Sequence, residues 1–192
     1  MPTLTTIKWL PRLRTVFALG LACLLFGVGA WAQPSAPSEQ QIKAAFLINF
    51  PKYAEWPATA FAETNSPIVI ALLGESRLTE ELEKIIAGRV ANGRKIVLKR
   101  VASGEEPGEC HILFISATEH QRSPNLLARF KDASILTVGE SDDFLEHGGI
   151  INLAHRDQKI ALEVNLTAAA RARIQISSKL LNVASVVKGR AK

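Results

Sequence analysis

Cysteine is scarce in this chain, which contains only Cys23 and Cys110. Cys23 lies in an amino-terminal targeting segment, so processing leaves a single thiol and excludes an intramolecular disulfide. Stability must then come from an apolar core. Cys110 stands beside His111, a pairing that could activate a thiolate, but neighbouring residues of a strand point to opposite faces. The sequence therefore predicts a buried structural thiol at Cys110.

The residue spacings of common catalytic and cofactor sites are also missing. The four histidines are dispersed and have no paired spacing that would place two metal ligands on one face. Gly74 is followed by Glu75, Ser76 and Arg77, which supply neither the spaced glycines of a dinucleotide turn nor the lysine of a phosphate loop. Basic and aromatic residues do not interleave as a nucleic-acid platform requires. We therefore expect no catalytic activity, cofactor, metal or nucleic-acid partner.

An uncharged apolar run occupies residues 15–30, and three basic residues precede it. The run ends in the small-residue pattern Ala30-Trp31-Ala32, which is typical of signal-peptide cleavage. Because about 20 apolar residues are needed to span a bilayer, this shorter run favours a removable peptide over an anchor. We predict a cleaved signal peptide at residues 1–32 and a periplasmic mature protein.

The mature chain at residues 33–192 is long enough for one domain. A chain of that size can bury roughly 70% of its unfolded surface. Removal of the three basic residues of the signal lowers the formal net charge from +5 to +2. The basic character of the precursor is therefore no argument for nucleic-acid binding.

Strand and helix patterns alternate through the middle of the mature chain, which indicates an α/β fold with a mainly parallel sheet. Residues 148–166 then read as an antiparallel hairpin around a polar turn at 155–158. Thr167 is expected to cap one long final helix that continues to Val187. The predicted strands are residues 67–73, 96–101, 111–115 and 135–138, and the predicted middle helices are 78–87 and 125–130.

The segment AAFLINFPKYAEWP at residues 44–57 has aromatic residues at near-helical spacing. It follows a capping box at Ser38 and Gln41, and Pro51 should kink or end the helix near Phe50. A core helix, a membrane-seeking helix and a recognition surface are three alternatives. Its charges and its proline argue against membrane insertion. Ile42, Ala45, Phe46, Phe50 and Tyr53 mark one helical face, and Phe46 and Phe50 of that face are expected to pack into the core.

Two groups of side chains are candidates for contact with a protein partner. Lys52, Tyr53 and Trp56 lie near the end of the first helical segment, where they could be exposed for recognition. Arg171 and Arg173 lie on the predicted final helix. Charged residues on helices most often form a solvated face, so an interface is the alternative that needs a test.

Seven stretches in order resemble the YfiR-like family of periplasmic proteins. The resemblance covers nearly all of the mature chain. The stretches are IKAAFLINFPKYAEWP (42–57), PIVIALLG (67–74), GRKIVL (93–98), CHILFIS (110–116), ILTVGE (135–140), GGIINL (148–153) and LEVNLTAAARARIQISSKLLNVA (162–184).

This resemblance implies a Rossmann-like three-layer α/β sandwich without catalytic activity, often dimeric. It further implies a regulator that binds the periplasmic domain of an inner-membrane diguanylate cyclase and lowers cyclic di-GMP synthesis. This chain differs from the family pattern in two ways. The redox-controlled members of the family have cysteine pairs, whereas the mature chain here has only Cys110. Pro51 stands at a position where the resemblance implies a helix-compatible residue. The alternative is a periplasmic small-ligand module, a sensor or an uptake accessory, that uses the cleft beyond Gly74 and Gly139.

Overall fold

The computed structural model describes residues 36–189, so the predicted signal peptide at residues 1–32 lies outside the described residues. Within residues 36–189, no helix combines the length and the apolar character needed to cross a membrane. The helices are α1 (Glu39–Asn49), α2 (Leu78–Ile86), α3 (Ser123–Phe130), α4 (Leu166–Arg171) and α5 (Ser178–Leu181). The strands are β1 (Ala54–Glu55), β2 (Ile68–Leu73), β3 (Val90–Ala91), β4 (Arg94–Val101), β5 (Ile112–Ile115), β6 (Leu136–Gly139), β7 (Ile151–Arg156), β8 (Lys159–Asn165), β9 (Gln175–Ile176) and β10 (Val186–Lys188).

Eight of these strands form one sheet in the order β10-β8-β7-β6-β5-β2-β4-β3. The pairs β4-β2, β2-β5, β5-β6, β6-β7 and β8-β10 are parallel, and the pairs β7-β8 and β3-β4 are antiparallel. A mainly parallel sheet with an appended antiparallel hairpin, here β7-β8, is the predicted α/β fold class, which is confirmed. The short antiparallel pair β3-β4 at the sheet edge was not predicted.

The sheet is buried on both faces because successive residues of a strand point to opposite sides. In β2, Ile68, Ile70 and Leu72 pack on the side of α1 and α2. Ala71 and Leu73 pack on the opposite side, where α3 supplies Leu126 and Leu127. Helices on both faces of the sheet give the three layers that the family resemblance implies.

The hairpin turn lies at Asp157 and Gln158, which both have positive φ, 46° and 62°. Two central residues with positive φ are characteristic of the tight turn that suits the twist of paired strands. The register of the pair runs from Arg156↔Lys159 to Ile151↔Val164. The predicted hairpin is confirmed.

The prediction of one long helix from Thr167 to Val187 is wrong. The side chain of Asn165, not that of Thr167, caps α4, which ends after six residues at Arg171. Arg173 then adopts a left-handed conformation with φ 59°, and the chain continues as β9, α5 and β10. The apolar residues of this region still have helical spacing in the sequence, because α4 and α5 are both helices and each buries one face against the same core.

The predicted start and end of the first helix are confirmed. The hydroxyl of Ser38 accepts from the backbone N–H of Gln41, whose side chain accepts from the backbone N–H of Ser38. The helix ends at Asn49, and Pro51 lies in a short 3₁₀ turn at Phe50–Lys52. A proline ring cannot continue the helical hydrogen bonds, so the chain turns here toward β1.

Candidate functional site

Helix α1 buries a different face from the one its aromatic spacing indicates. Its buried apolar residues are Ala44, Leu47 and Ile48. Phe50, at the end of the helix, is buried as predicted, but Phe46 is only partly buried. The expectation that Phe46 packs into the core is therefore wrong in part, because Phe46 lines an open groove. Ile42, Ala45 and Tyr53 of the same predicted face line this groove too.

We call this feature the α1 groove, a concave surface of about 530 Å³ between α1 and the segment around α5. Phe46 stacks on Phe50 across its floor, with ring centroids 6.1 Å apart. On the opposite side of the groove from α1, 63% of the surface of Val183 is exposed to solvent. The lining residues are Pro37, Gln41, Ile42, Ala45, Phe46, Asn49, Phe50, Tyr53, Lys179, Leu180 and Val183.

The one charged side chain among the described residues that line the α1 groove is basic. Lys179 belongs to the lining and is exposed, and no carboxylate does. Lys52 lies beside the groove, where its ammonium donates to the side-chain oxygen of Asn49 at 3.0 Å. An apolar floor with ammonium groups at its margin favours an apolar ligand segment that carries carboxylates.

A buried ion pair fixes α1 in this orientation. The ammonium of Lys43 lies 2.6 Å from Glu140 and 2.6 Å from Glu39. Burial alone would lower the pKa of Lys43, but the hydrogen bonds to Glu140 and Glu39 outweigh it and raise the pKa. Glu140 also accepts from the backbone N–H of Ala117 at 2.9 Å. Lys43 thus attaches the inner face of α1 to the ends of β5 and β6.

A two-stranded ladder brings both predicted partner-binding stretches together. Strand β1 pairs with β9, so Ala54 lies opposite Ile176 and Glu55 opposite Gln175. The carbonyl of Tyr53 also accepts from the backbone N–H of Ser177 at 2.9 Å. The stretches around Lys52 and Arg173, which are distant in sequence, are therefore neighbours in the fold.

The five predicted partner residues divide between three positions. Tyr53 lines the α1 groove and Lys52 lies beside it. Arg171 is exposed at the end of α4, and Arg173 is exposed at a separate concavity near Phe61 and His111. Partner binding by these residues stays a prediction.

Trp56, the fifth predicted partner residue, belongs to a cluster around His111 and is partly buried. The indole N–H of Trp56 donates to the carbonyl of His111 at 3.2 Å. The imidazole of His111 stacks on Phe61, with ring centroids 4.4 Å apart, and its Nδ1 accepts from the backbone N–H of Val69. Its other nitrogen lies 3.1 Å from the carbonyl of Ala60 and donates to it. This cluster holds residues 56–61 on the amino-terminal ends of β2 and β5.

Both nitrogens of His111 are thus used by backbone groups, and the ring is neutral. Burial lowers the pKa of His111. The neighbouring Cys110 is buried, and desolvation raises the pKa of its thiol to about 11, which keeps it protonated. Cys110 is a buried thiol as predicted, and a protonated thiol does not have the reactivity of a thiolate nucleophile. Within residues 36–189, no group of three His, Cys, Asp or Glu side chains is placed to hold a metal ion.

Sequence reasoning missed the contribution of Lys179, Leu180 and Val183 to the α1 groove. These residues were assigned to a continuous helix, whose apolar side would have been buried. The available signal was Ser177, which caps α5 by accepting from the backbone N–H of Leu180. A serine at that position is a helix start as readily as a packing residue.

The fold is similar to that of a conserved domain protein from Vibrio cholerae O1 biovar El Tor str. N16961, with a TM-score of 0.54 and 14% sequence identity. The match covers 78% of this chain and 60% of the Vibrio chain. At this identity the likeness shows the fold alone. No curated protein matches the sequence.

A family model matches residues 40–185, which is most of the chain. The match includes nearly all of α1, the whole sheet except β10, and every lining residue of the α1 groove except Pro37. The model is that of the YfiR/HmsC-like family, a family of periplasmic regulatory proteins. The seven resembling stretches in the sequence are consistent with this match, and the chain belongs to the YfiR/HmsC-like family.

Proposed function

We propose that this protein is a non-catalytic periplasmic regulator that binds the periplasmic domain of an inner-membrane diguanylate cyclase and represses cyclic di-GMP synthesis. Family membership supports the regulatory class. The observation that carries a binding role is the α1 groove, where an apolar surface lies open although the same helix has a fully buried opposite face. Contiguous exposed apolar surface on a folded domain is typical of an interaction site.

The proposed occupant of the α1 groove is an apolar segment of the cyclase domain that carries carboxylates at its margin. Phe46 and Val183 supply apolar contact area. Lys52 and Lys179 supply the complementary charge. Aromatic side chains at the centre and charges at the rim are the usual division of labour in protein interfaces.

The regulatory mechanism is conformational linkage. A protein that binds the inactive conformation of a receptor more tightly than the active one shifts the population toward inactivity. A factor of about 100 in relative affinity corresponds to about 2.7 kcal/mol, which is within the range that a few interface residues provide.

The test begins with the mature chain, residues 33–192, as bait for detergent-solubilised inner membrane, followed by mass spectrometry. The periplasmic domain of a recovered diguanylate cyclase is then titrated with the purified protein. We expect Val183→Asp to weaken binding at least about tenfold, which is about 1.4 kcal/mol. The matched control is Val90→Asp, because Val90 is also an exposed valine, at 53%, but lies on β3 outside the groove.

Charge complementarity has its own pair of variants. Lys179→Glu should weaken cyclase binding and make it less dependent on salt, whereas Lys95→Glu on β4 should change neither property. Equal effects of groove and control variants would place the interface elsewhere. Unchanged cyclic di-GMP in a strain that lacks the gene, with no cyclase recovered, would overturn the regulatory proposal itself.

Homodimer formation is a further part of the proposal. Sedimentation equilibrium of the mature chain measures it directly. If the chain is a dimer and Val183→Asp makes it a monomer while Val90→Asp does not, the groove is occupied by a second copy rather than by the cyclase.

The signal peptide at residues 1–32 and the single mature domain at residues 33–192 belong to the same proposal. Amino-terminal sequencing of the exported protein should begin at Gln33. A chain that retains its first residues in the membrane fraction would contradict it.

A further inference from the structure

Strand β4 is an outer strand of the sheet that its neighbour β3 covers only in part. It spans Arg94–Val101, whereas β3 pairs with its first two residues alone. One further bond, from the backbone N–H of Ile96 to the carbonyl of Arg89, extends this cover. Among residues 36–189, no strand lies beside the rest of β4 on that side. Residues 97–101 therefore form an open edge, which we call the β4 edge.

The β4 edge presents backbone groups that no described residue pairs with. The carbonyl of Val101 accepts from the backbone N–H of Gly74, so it faces the chain of β2. Because the backbone groups of successive strand residues point to alternate sides, the N–H and C=O groups of Leu98 and Arg100 face away from β2. Among the described residues these groups form no hydrogen bond on that side. A row of such donors and acceptors is a template for another strand.

Two exposed valines lie on one face of the sheet at this edge. Val97 on β4 is 39% exposed, and Val90 on β3 is 53% exposed. Val90 lies opposite Lys95 in the antiparallel pair, so both side chains are on the same face. Lys95, Val97 and Lys99 alternate with inward residues along β4 and share that face. A strand added beside β4 would extend this face and cover apolar surface.

Positive charge is concentrated along β3 and β4. Residues 89–101 contain five basic residues and no acidic one. Among the described residues, Arg100 is the one member of this group that pairs with a carboxylate, that of Glu83. The ammonium groups of Lys95 and Lys99 are on exposed residues. Cations without a carboxylate partner beside an open strand favour an acidic occupant.

These features distinguish between three classes of occupant. A second copy of the chain would bring its own lysines along the shared face, and lysines on edge strands are a common protection against self-association. A nucleic acid or an anionic lipid would meet the charge, but its phosphate oxygens only accept hydrogen bonds, whereas the edge alternates donors and acceptors. An extended acidic peptide matches both the charge and the backbone groups.

We propose that the β4 edge binds an extended acidic segment of a partner protein, which adds a strand to the sheet beside β4. The backbone of the segment pairs with Leu98 and Arg100. Its apolar side chains cover Val97, and its carboxylates lie near Lys95 and Lys99. Main-chain hydrogen bonds supply the affinity of such strand addition, and alternate side chains supply the specificity. This surface is distinct from the α1 groove, and the inference goes beyond the proposed regulation of a cyclase.

Amide hydrogen exchange of the isotope-labelled mature protein, followed by NMR, tests the open edge. In the free protein the N–H groups of Leu98 and Arg100 should exchange rapidly, whereas those of Val97 and Lys99, which face β2, should be protected. The probe is a synthetic peptide of alternating glutamate and valine, about ten residues long. It should slow exchange at Leu98 and Arg100, and a twin of alternating lysine and valine should not.

Arg100→Pro and Arg100→Gln form a matched pair of variants. Both remove the guanidinium and its ion pair with Glu83, but only proline also removes the outward N–H and sets a ring against the added strand. Because that N–H faces away from β2, proline removes no hydrogen bond of the sheet. We expect Arg100→Pro to bind the acidic peptide about tenfold more weakly than Arg100→Gln. Urea denaturation verifies that both variants fold.

Val97→Asp is a second variant, which leaves the backbone of the edge unchanged. It replaces exposed apolar surface by a charge that repels the carboxylates of the probe, so we expect about tenfold weaker peptide binding. The matched control is Val183→Asp in the α1 groove, which also replaces an exposed valine and should leave peptide binding unchanged.

Four results would overturn the proposal. The first is slow exchange at Leu98 and Arg100 in the free protein, because the edge is then already covered, by a second copy if Val97→Asp also converts a dimer to a monomer. The second is the absence of saturable binding of the acidic peptide.

The third is equal binding of an acidic twin with methylated backbone nitrogens, or equal effects of Arg100→Pro and Arg100→Gln, because the edge is then a positive surface without strand pairing. The fourth is tighter binding of DNA or of anionic lipid vesicles than of the acidic peptide at the same salt concentration. None of these measurements includes the cyclase, so failure here is distinguishable from failure of the proposed function.

Discussion

The α1 groove and the crevice beyond the carboxyl ends of β2 and β5, here called the switch-point crevice, differ in how the fold produces them. The groove exists because α1 is apolar on more of its circumference than the core can cover, so Phe46 is left at the surface. The crevice exists because the chain changes direction beyond β2, and the polar residues that end strands and begin helices collect there. An apolar surplus suits a protein partner, whereas collected polar groups suit a small polar ligand.

The two sites are physically connected through one ion pair. Lys43, on the inner face of α1, binds Glu140, which in turn accepts from the backbone of Ala117 at the end of β5. Ala117 immediately precedes Thr118 and Glu119 of the crevice lining. Substitutions at this link and on its two sides test how far the sites are independent.

The largest effect is expected from Lys43→Met, which breaks the link. Removing one partner of a buried ion pair leaves the other charge desolvated, so the free energy of unfolding should fall by about 3–5 kcal/mol. Urea denaturation measures it. Lys84→Met is the control, because Lys84 pairs with Glu81 at the solvent-exposed surface and its loss should change the free energy of unfolding little. Equal losses would mean that Lys43 is not an anchor.

The two faces of α1 should respond differently to truncation. Leu47 is completely buried, so Leu47→Ala should cost about 2–4 kcal/mol of stability. Phe46→Ala should cost about 1 kcal/mol, mainly its stacking on Phe50, and should weaken partner binding more than folding. If Phe46→Ala destabilises the protein as much as Leu47→Ala, the groove is part of the core.

A smaller effect is expected from Gly74→Ala at the base of the crevice. The new Cβ would meet Ser116 at 2.5 Å in a backbone conformation that is strained for alanine, so we expect a loss of about 1–3 kcal/mol. Gly88→Ala is the control, since Gly88 also has positive φ but its Cβ would meet nothing within 4 Å. The difference between the two unfolding free energies isolates the close contact beneath the crevice.

The smallest effect concerns His111, which belongs to neither site. Because burial holds its folded pKa below the ordinary value, the unfolded chain binds the proton more tightly. The contribution of His111 is thus fully present above about pH 6.5 and is lost as the pH falls toward the folded pKa. Stability should fall by at most about 1.4 kcal/mol per pH unit in this range.

Urea denaturation between pH 7 and pH 5 measures this dependence. His111→Asn, whose side-chain oxygen can accept from Val69, should flatten the curve. A wild-type curve identical to that of His111→Asn would contradict the assignment.

Much of the fold could be predicted because its signals are local. The strands that continuous apolar runs predicted are present, as is the hairpin around Asp157 and Gln158. The interruption of the final helix could not be predicted, because the backbone reverses at Arg173 and no glycine or proline lies in that stretch of the sequence. Of the candidate site, Tyr53 and Lys52 were identified, but Val183 was not, since its exposure depends on that reversal.

The sequence by itself determined where the first helix begins and ends. Ser38 and Gln41 start α1 and Pro51 ends it, because capping and proline geometry act within a few residues. Tertiary structure alone decided which side of α1 faces the core. Leu47 and Phe46 are both apolar, so periodicity cannot choose between them, and the orientation is fixed by Lys43 meeting Glu140, 97 residues away.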